Sequence, residues 1–198
     1  MAKRLFDIFF SLFLILVLSP ILVVIMVLIV GESHGGAFFR QVRVGRGNKD
    51  FRIFKFRTMH VGAEKGGLLT VGGRDPRVTK VGYYLRRYKL DELPQLFNVL
   101  LNDMSFVGPR PEVRRYVDMY NENQKRVLLV KPGITDPASI SYFDENELLS
   151  RSNDPETTYI EVVMPAKLAI NLEYIDRRSF LTDLQILFQT AQRIFGSL

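Results

Sequence analysis

The sequence predicts an α/β protein: a small sheet built on one β-hairpin, amphipathic helices around it, and an N-terminal re-entrant membrane helix hairpin. Three observations predict it. Residues 5–30 are apolar with the single charge Asp7. Residues 37–57 alternate apolar with basic side chains across a glycine-rich turn, and apolar positions recur at helical spacing over 79–101 and 179–195. With 198 residues, 47% of them apolar, the chain can build one globular domain, 31–198, behind a membrane segment, 1–30.

Composition narrows the chemistry. The chain has no Cys and no Trp, so disulfides and thiolate metal sites are excluded, and two His cannot make a zinc cluster. Any metal is oxygen-ligated. The net charge of +6 hides an asymmetry: residues 40–89 hold 14 Lys/Arg against 3 acids, whereas residues 90–198 hold 11 against 16. The basic half faces something anionic, and charge alone does not choose among nucleic acid, lipid and a phosphorylated substrate.

The apolar run over 5–30 would be about 39 Å long as a straight helix, against a hydrocarbon core of about 30 Å. It is too long for the apolar region of a cleavable signal, and no small-residue cleavage site follows it. Ser19-Pro20 lies near its middle. Pro20 removes a backbone donor and crowds the carbonyl of Leu16, which predicts a bend or break there. Basic residues flank both ends, Lys3 and Arg4 before and Arg40, Arg43, Arg46 and Lys49 after. A single span concentrates them on the cytoplasmic side only, so a re-entrant hairpin fits better than a Pro-kinked span.

The stretch Ala37–Asn48 followed by Phe51–Arg57 reads as a β-hairpin. Alternation puts Ile53, Lys55 and Arg57 on one face, so two cations point the same way and suit a diphosphate. A solvated edge strand that uses charge to block pairing is the plainer alternative. Residues 61–73 are glycine-rich without a nucleotide-loop fingerprint and read as a mobile loop.

Over 79–101 the helical spacing is interrupted near Leu90-Asp91-Glu92-Leu93-Pro94, where an acidic pair follows the basic stretch Arg86–Lys89. Asp91 reads as a helix start with Pro94 in the first turn. A helix N-terminus offers amide donors to an anion and depresses a carboxylate pKa, so Asp91 is expected ionised and nucleophilic; simple capping is the alternative. In Pro109-Arg110-Pro111 the two prolines restrict the backbone and present one guanidinium fork. Lys131–Thr135 is a second stiff turn. Residues 139–161 read as an acidic loop or lid, 157–175 as a helix with Pro165 an interruption, and 179–195 as an amphipathic helix for core packing or interfacial contact.

These segments together resemble one family. The apolar hairpin with Ser19-Pro20, Phe39-Arg40-Gln41, Lys55–Met59, Asp75–Thr79, Leu90–Gln95, Val107–Pro111 and Lys131–Thr135 stand in the order found in the bacterial sugar transferases, the monotopic phosphoglycosyl transferases. The resemblance implies transfer of a sugar 1-phosphate from a UDP-sugar to undecaprenyl phosphate, with release of UMP, at the cytoplasmic face of the bacterial inner membrane. It implies a re-entrant helix over 1–30 broken at Ser19 and Pro20, and a cytoplasmic catalytic domain over 31–198. It makes Asp91 the nucleophile that carries a covalent phosphosugar, Glu92 its partner as base or orienting group, and Mg2+ the cofactor with Asp91 as ligand. Lys55, Arg57, Arg86, Gln95, Pro109, Arg110 and Pro111 become substrate-binding positions. Membrane lipid is a further partner; a second copy of the chain or downstream glycosyltransferases are the protein partners left open, and nucleic acid is disfavoured.

Two departures stand out. Many small members continue Pro-Gly-Ile-Thr with Gly-Leu-Ala-Gln-Val-Asn-Gly-Arg, whereas here Asp136–Phe143 follows, so Phe143 replaces an arginine, and Asn171 stands where an aspartate is common. Arg151 is a candidate replacement cation; an altered sugar preference is the other. Two further functions remain: a noncatalytic membrane-associated protein that binds anionic lipid or a partner, and a conventional glycosyltransferase that releases UDP.

Overall fold

The computed structural model describes residues 2–63 and 75–196. The glycine-rich loop expected over 61–73 falls, beyond residue 63, outside the described residues.

Helix α1 runs over Ala2–Glu32. It is long and apolar enough to cross a membrane, yet one face of it lies on the rest of the protein. Phe6, Phe10, Leu14 and Leu18, one turn apart, pack on a cluster centred on Ile53, Val99, Met104 and Phe106. Leu22, Ile25 and Ile29 continue the same stripe onto Phe56 and Leu85. The opposite face, with Phe9, Phe13, Leu16, Val24 and Val27, is exposed.

Pro20 sits inside this helix, which is not divided into two separate arms. Proline deprives the Leu16 carbonyl of its usual donor, and the Ser19 hydroxyl donates to that carbonyl at 2.8 Å. The serine thereby satisfies the group its neighbour leaves open, which a helix in an apolar medium requires.

Both ends of α1 are tied to the globular part. At the start, Lys3 Nζ donates to the Val107 carbonyl (2.8 Å) and to Asp183 (2.6 Å), and Arg4 donates to the Val99 and Leu100 carbonyls. Buried Asp7 accepts from the Ser105 hydroxyl and the Phe106 amide. At the far end, Glu32 accepts from the amides of Lys80 and Val81 at 2.7 and 2.9 Å, capping the next helix.

The expected hairpin forms. Strands β1 (Phe38–Val44) and β2 (Asp50–Phe56) pair antiparallel from Phe38↔Phe56 to Val44↔Asp50, and Gly47 at φ 70° turns the connection. Helix α2 (Lys80–Arg87) starts on a Thr79 cap. Lys89 at φ 56° ends it and throws the chain into a 3-10 turn over Leu90–Glu92, followed by α3 (Gln95–Leu100).

A second sheet was not anticipated from the sequence. Strands β3 (Ser105–Val107) and β4 (Gly133–Thr135) pair in parallel, so the two stiff loops join. Their glycines permit this: a Cβ on Gly133 would lie 2.2 Å from the Gly108 nitrogen, and one on Gly108 would lie 2.4 Å from the Lys131 carbonyl oxygen. Gly133→Ala is therefore expected to lower stability by about 1–3 kcal/mol or more, seen as a lower midpoint in denaturant unfolding.

The C-terminal part is helical: α4 (Arg114–Val117), α5 (Pro137–Ser141), α6 (Glu145–Ser150), α7 (Pro155–Thr158), α8 (Met164–Arg177) and α9 (Phe180–Gly196). The loop expected over 139–161 is instead made largely of short helices, two of them started by Asp caps at Asp136 and Asp154. Around Pro165 the helix widens to a π turn over Tyr159–Val163 without ending. These elements surround Tyr116, Leu149, Val163 and Leu168. Helix α9 packs on the core through Ile186, while Leu181, Phe188 and Phe195 are 64–72% exposed.

Candidate active site

The acidic pair sits where β2, the 3-10 turn and the Pro109–Pro111 loop converge. Asn98 sets the register. Buried on α3, it accepts from the Phe54 amide and donates to the Arg52 carbonyl, both at 2.8 Å, as a neighbouring strand would. This locks α3 and the preceding turn against β2 and brings Lys55 opposite Glu92.

Glu92 is fully engaged. Lys55 Nζ donates to one oxygen at 2.9 Å, and the Arg110 guanidinium grips both oxygens. Those two cations hold the Glu92 carboxyl well below the usual range in spite of burial, and Glu92 in turn raises Arg110. Burial pushes the Lys55 ammonium down, with Glu92 and Asp91 opposing.

Asp91 differs from its neighbour in every respect that matters chemically. Its carboxylate accepts no hydrogen bond from a described residue, and it is 8% exposed. Burial raises its pKa, with Glu92 adding to the rise and Lys55, Arg86 and Lys89 opposing it. This corrects the expectation of a depressed value. Asp91 does not cap α3, whose N-cap is Pro94 without a side-chain bond, so desolvation acts on it in place of a helix N-terminus. The result is one committed carboxylate beside one uncommitted carboxylate, the arrangement that separates an orienting group from a reacting one.

The loop that carries Arg110 is braced on both flanks. Asp136, with no exposed surface, accepts from the Arg110 amide at 3.1 Å while also capping α5. Arg43 donates to the Pro111 carbonyl and to Glu112, and the Pro109 carbonyl accepts from the Gly133 amide. Pro109 and Pro111 thus shape the loop. Asp136 and Asn98, absent from the sequence-derived site, are its main supports; their only sequence signal was polar residues beside apolar runs.

The other expected site residues divide. Arg86 donates to Thr58 at 2.8 Å, and its charge lies beside Asp91. Gln95 is 1% exposed, and neither of its amide atoms has a protein partner among the described residues, which leaves donor and acceptor for a ligand or water. Arg57 goes elsewhere: it lies just past β2, and its guanidinium donates to Ser33 Oγ and to the carbonyls of Ser33, Gly35 and Gly36. It staples the exit of α1 instead of joining Lys55. Ser19 and Pro20 stay within α1. Arg151 is exposed and pairs with Glu147. Phe143 lies about 5 Å from both Lys89 and Arg193, with a cation against its ring from each.

No group of three or more His, Asp or Glu side chains gathers around a metal position among the described residues. Among the described residues of the site, the Asp91 carboxylate is the oxygen ligand left without a protein donor, the type of ligand that magnesium takes.

The split acid pair thus sits in a cationic cradle, on a domain tied to both ends of a long apolar helix. The chain belongs to the bacterial sugar transferase family, whose model matches residues 1–197. It is similar to the UDP-N-acetylgalactosamine-undecaprenyl-phosphate N-acetylgalactosaminephosphotransferase of Aeromonas hydrophila, at 38% identity over 97% of this chain and 43% of that protein. Similarity to the UDP-glucose:undecaprenyl-phosphate glucose-1-phosphate transferase of Klebsiella pneumoniae is also 38%, over 98% of this chain and 40% of the relative. The chain thus spans about two fifths of the length of these two. It is 36% identical to the sugar transferase EpsL of Bacillus subtilis over 98% of this chain and 88% of that one.

Proposed function

We propose that the protein transfers a sugar 1-phosphate from a UDP-sugar to undecaprenyl phosphate, releasing UMP and starting a bacterial glycoconjugate. The observation that carries this reading is the split pair: Asp91 is buried, uncommitted and surrounded by cations, whereas Glu92 is consumed by Lys55 and Arg110. A carboxylate oxygen of Asp91 attacks the sugar-bearing phosphorus, the bond from that phosphorus to the bridging oxygen breaks, and UMP leaves with the electron pair. An oxygen of undecaprenyl phosphate then attacks the same phosphorus and returns Asp91 as carboxylate.

Arg86 and Lys55 offset the repulsion between a bare carboxylate and a diphosphate. Glu92, held far below the usual range, is a poor proton acceptor and serves as the post that fixes Lys55 and Arg110. Magnesium, when bound, supplies further neutralisation of phosphate charge.

The re-entrant reading of α1 rests on its two anchored ends. As a straight helix its 31 residues would reach about 46 Å, and a straight span would part Lys3 from Glu32 by the bilayer. Both ends instead bind one globular part, which supports a reading with that part at a single face, the cytoplasmic face of the inner membrane in this proposal. The exposed apolar side of α9 then lies in the interface. Because the chain has no native cysteine, Ala2→Cys and Gly31→Cys can be labelled singly in sealed inverted membrane vesicles with an impermeant maleimide. Both are expected to react from the outer, formerly cytoplasmic, face; protection of either one rules the re-entrant topology out.

The activity is tested by incubating the purified protein with magnesium, undecaprenyl phosphate and a panel of UDP-sugars. Release of UMP is the expected product and identifies the sugar. UDP would signify glycosyl transfer, and neither product across the panel would favour the noncatalytic reading.

A further inference from the structure

Away from the acid pair, a cavity of about 520 Å³ opens beside the first turn of α1. Five cations line it, Lys3, Arg4, Arg46, Lys131 and Arg178, against two acids. Both acids are already used: Asp7 by Ser105 and Phe106, and Asp183 by Lys3 and the Tyr174 hydroxyl. Arg4 is spent on the carbonyls that end α3. Arg46 and Arg178 are exposed and form no ion pair among the described residues, and Lys131 finds the neutral side-chain oxygen of Asn102.

Cations gathered at this density repel one another. Burial, followed by the charge of Arg4 and then those of Arg46 and Lys3, depresses the Lys131 ammonium, with Asp7 alone opposing. Such a cluster is complete only with an anion in it. Its place says which anion. Lys3 and Arg4 begin the membrane helix, and the cavity wall includes Phe180 and the largely exposed Leu129. Leu181, adjacent to Phe180 in α9, and Leu5, adjacent to Arg4 in α1, are exposed apolar side chains. Cations at the start of an apolar helix, bordered by apolar surface, match a phosphodiester that carries acyl chains.

We infer that this cavity binds the headgroup of an anionic membrane phospholipid, a site separate from the acid pair. None of Lys55, Arg86, Asp91, Glu92 and Arg110 lines it. The dyad turn packs on the other half of α1, where Leu90 and Leu93 meet Leu22 and Ile25. The lipid would bridge α1, α9 and the hairpin turn at Arg46, and so hold the protein at its working depth.

The full chain in uncharged maltoside micelles tests this, doped in turn with phosphatidylglycerol, phosphatidylcholine or inorganic phosphate. Native mass spectrometry and the thermal unfolding midpoint are the readouts. Phosphatidylglycerol is expected to remain bound as one adduct and to raise the midpoint, and phosphatidylcholine to do so weakly. Arg46→Gln with Arg178→Gln, both exposed, should leave the lipid-free midpoint unchanged and weaken phosphatidylglycerol binding about thirty-fold, from roughly 1 kcal/mol per cation. An equal midpoint rise with inorganic phosphate alone would assign the site to a free anion and overturn the lipid reading. Unchanged phosphatidylglycerol binding in the double variant, or no binding to the unaltered chain, would overturn the site itself.

Discussion

Asp91→Asn is expected to lower UMP release by about 10³-fold or more while leaving the unfolding midpoint unchanged or slightly higher. The amide keeps the shape and cannot form the acyl phosphate. Stability moves the other way because the native carboxylate is charged in a buried place, and burial is the largest cause of its raised pKa. A neutral side chain removes that penalty, while Lys55 keeps Glu92 as its partner. The same raised pKa predicts the acid limb of the pH profile. The attacking form is the carboxylate, so turnover falls as pH drops through the Asp91 value, above the ordinary 3.8. Lys55 is the strongest neighbour holding that value down, and Lys55→Met should move the limb to higher pH. An Asp91→Asn protein that still forms UMP at the normal rate would remove Asp91 from the nucleophile's role.

Glu92→Gln is expected to fail differently, losing both activity and stability. It takes from the partly buried Lys55 and Arg110 the carboxylate that pairs them, while Asp91 still faces Lys55 and Asp136 lies near Arg110, so the loss is expected at about 1–3 kcal/mol. The pH dependence separates this from a plain packing defect. Glu92's folded pKa lies well below 4.5, so its contribution to stability is present above the unfolded value and disappears as pH falls through the folded one. The gap in urea midpoint between the native chain and Glu92→Gln should therefore be full at neutral pH and close in strong acid. A gap that does not change with pH would mean that the ion pairs are not its source. Arg110→Lys should recover part of the stability and little activity, since an ammonium cannot repeat the two-oxygen grip.

What was legible in the sequence followed from periodicity. The hairpin, the long apolar helix and α9 each repeat a pattern over several turns or pairs, and the acid pair with Lys55 and Arg110 was visible as charge beside turn-forming residues. The parallel pair β3 and β4 was not, because three residues are too few to show alternation and their pairing is long-range. The short helices within 139–161 are set by single Asp caps, a signal easily taken for loop polarity. Arg57 shows the limit of face arithmetic: it follows Lys55 by two positions, yet β2 ends at Phe56, and past that point the side chain turns to the carbonyls of Ser33, Gly35 and Gly36. The roles of Asp91 and Glu92 could not be divided by adjacency alone, since the division comes from Arg110 reaching across eighteen residues.

The staple made by Arg57, together with the Glu32 cap and the Lys3 and Arg4 contacts, has a practical corollary for anyone wishing to prepare this protein without its lipid-facing part. Cutting the chain after Gly36 would not release a soluble domain from an anchor. It would uncover Phe56, Leu85, Met104 and Phe106, strip the Glu32 acceptor from the amides of Lys80 and Val81 at the start of α2, and strand Arg57 and Asp183 without Ser33 and Lys3. The apolar helix is a structural wall of the folded unit, so amphiphile is part of this protein's native solvent.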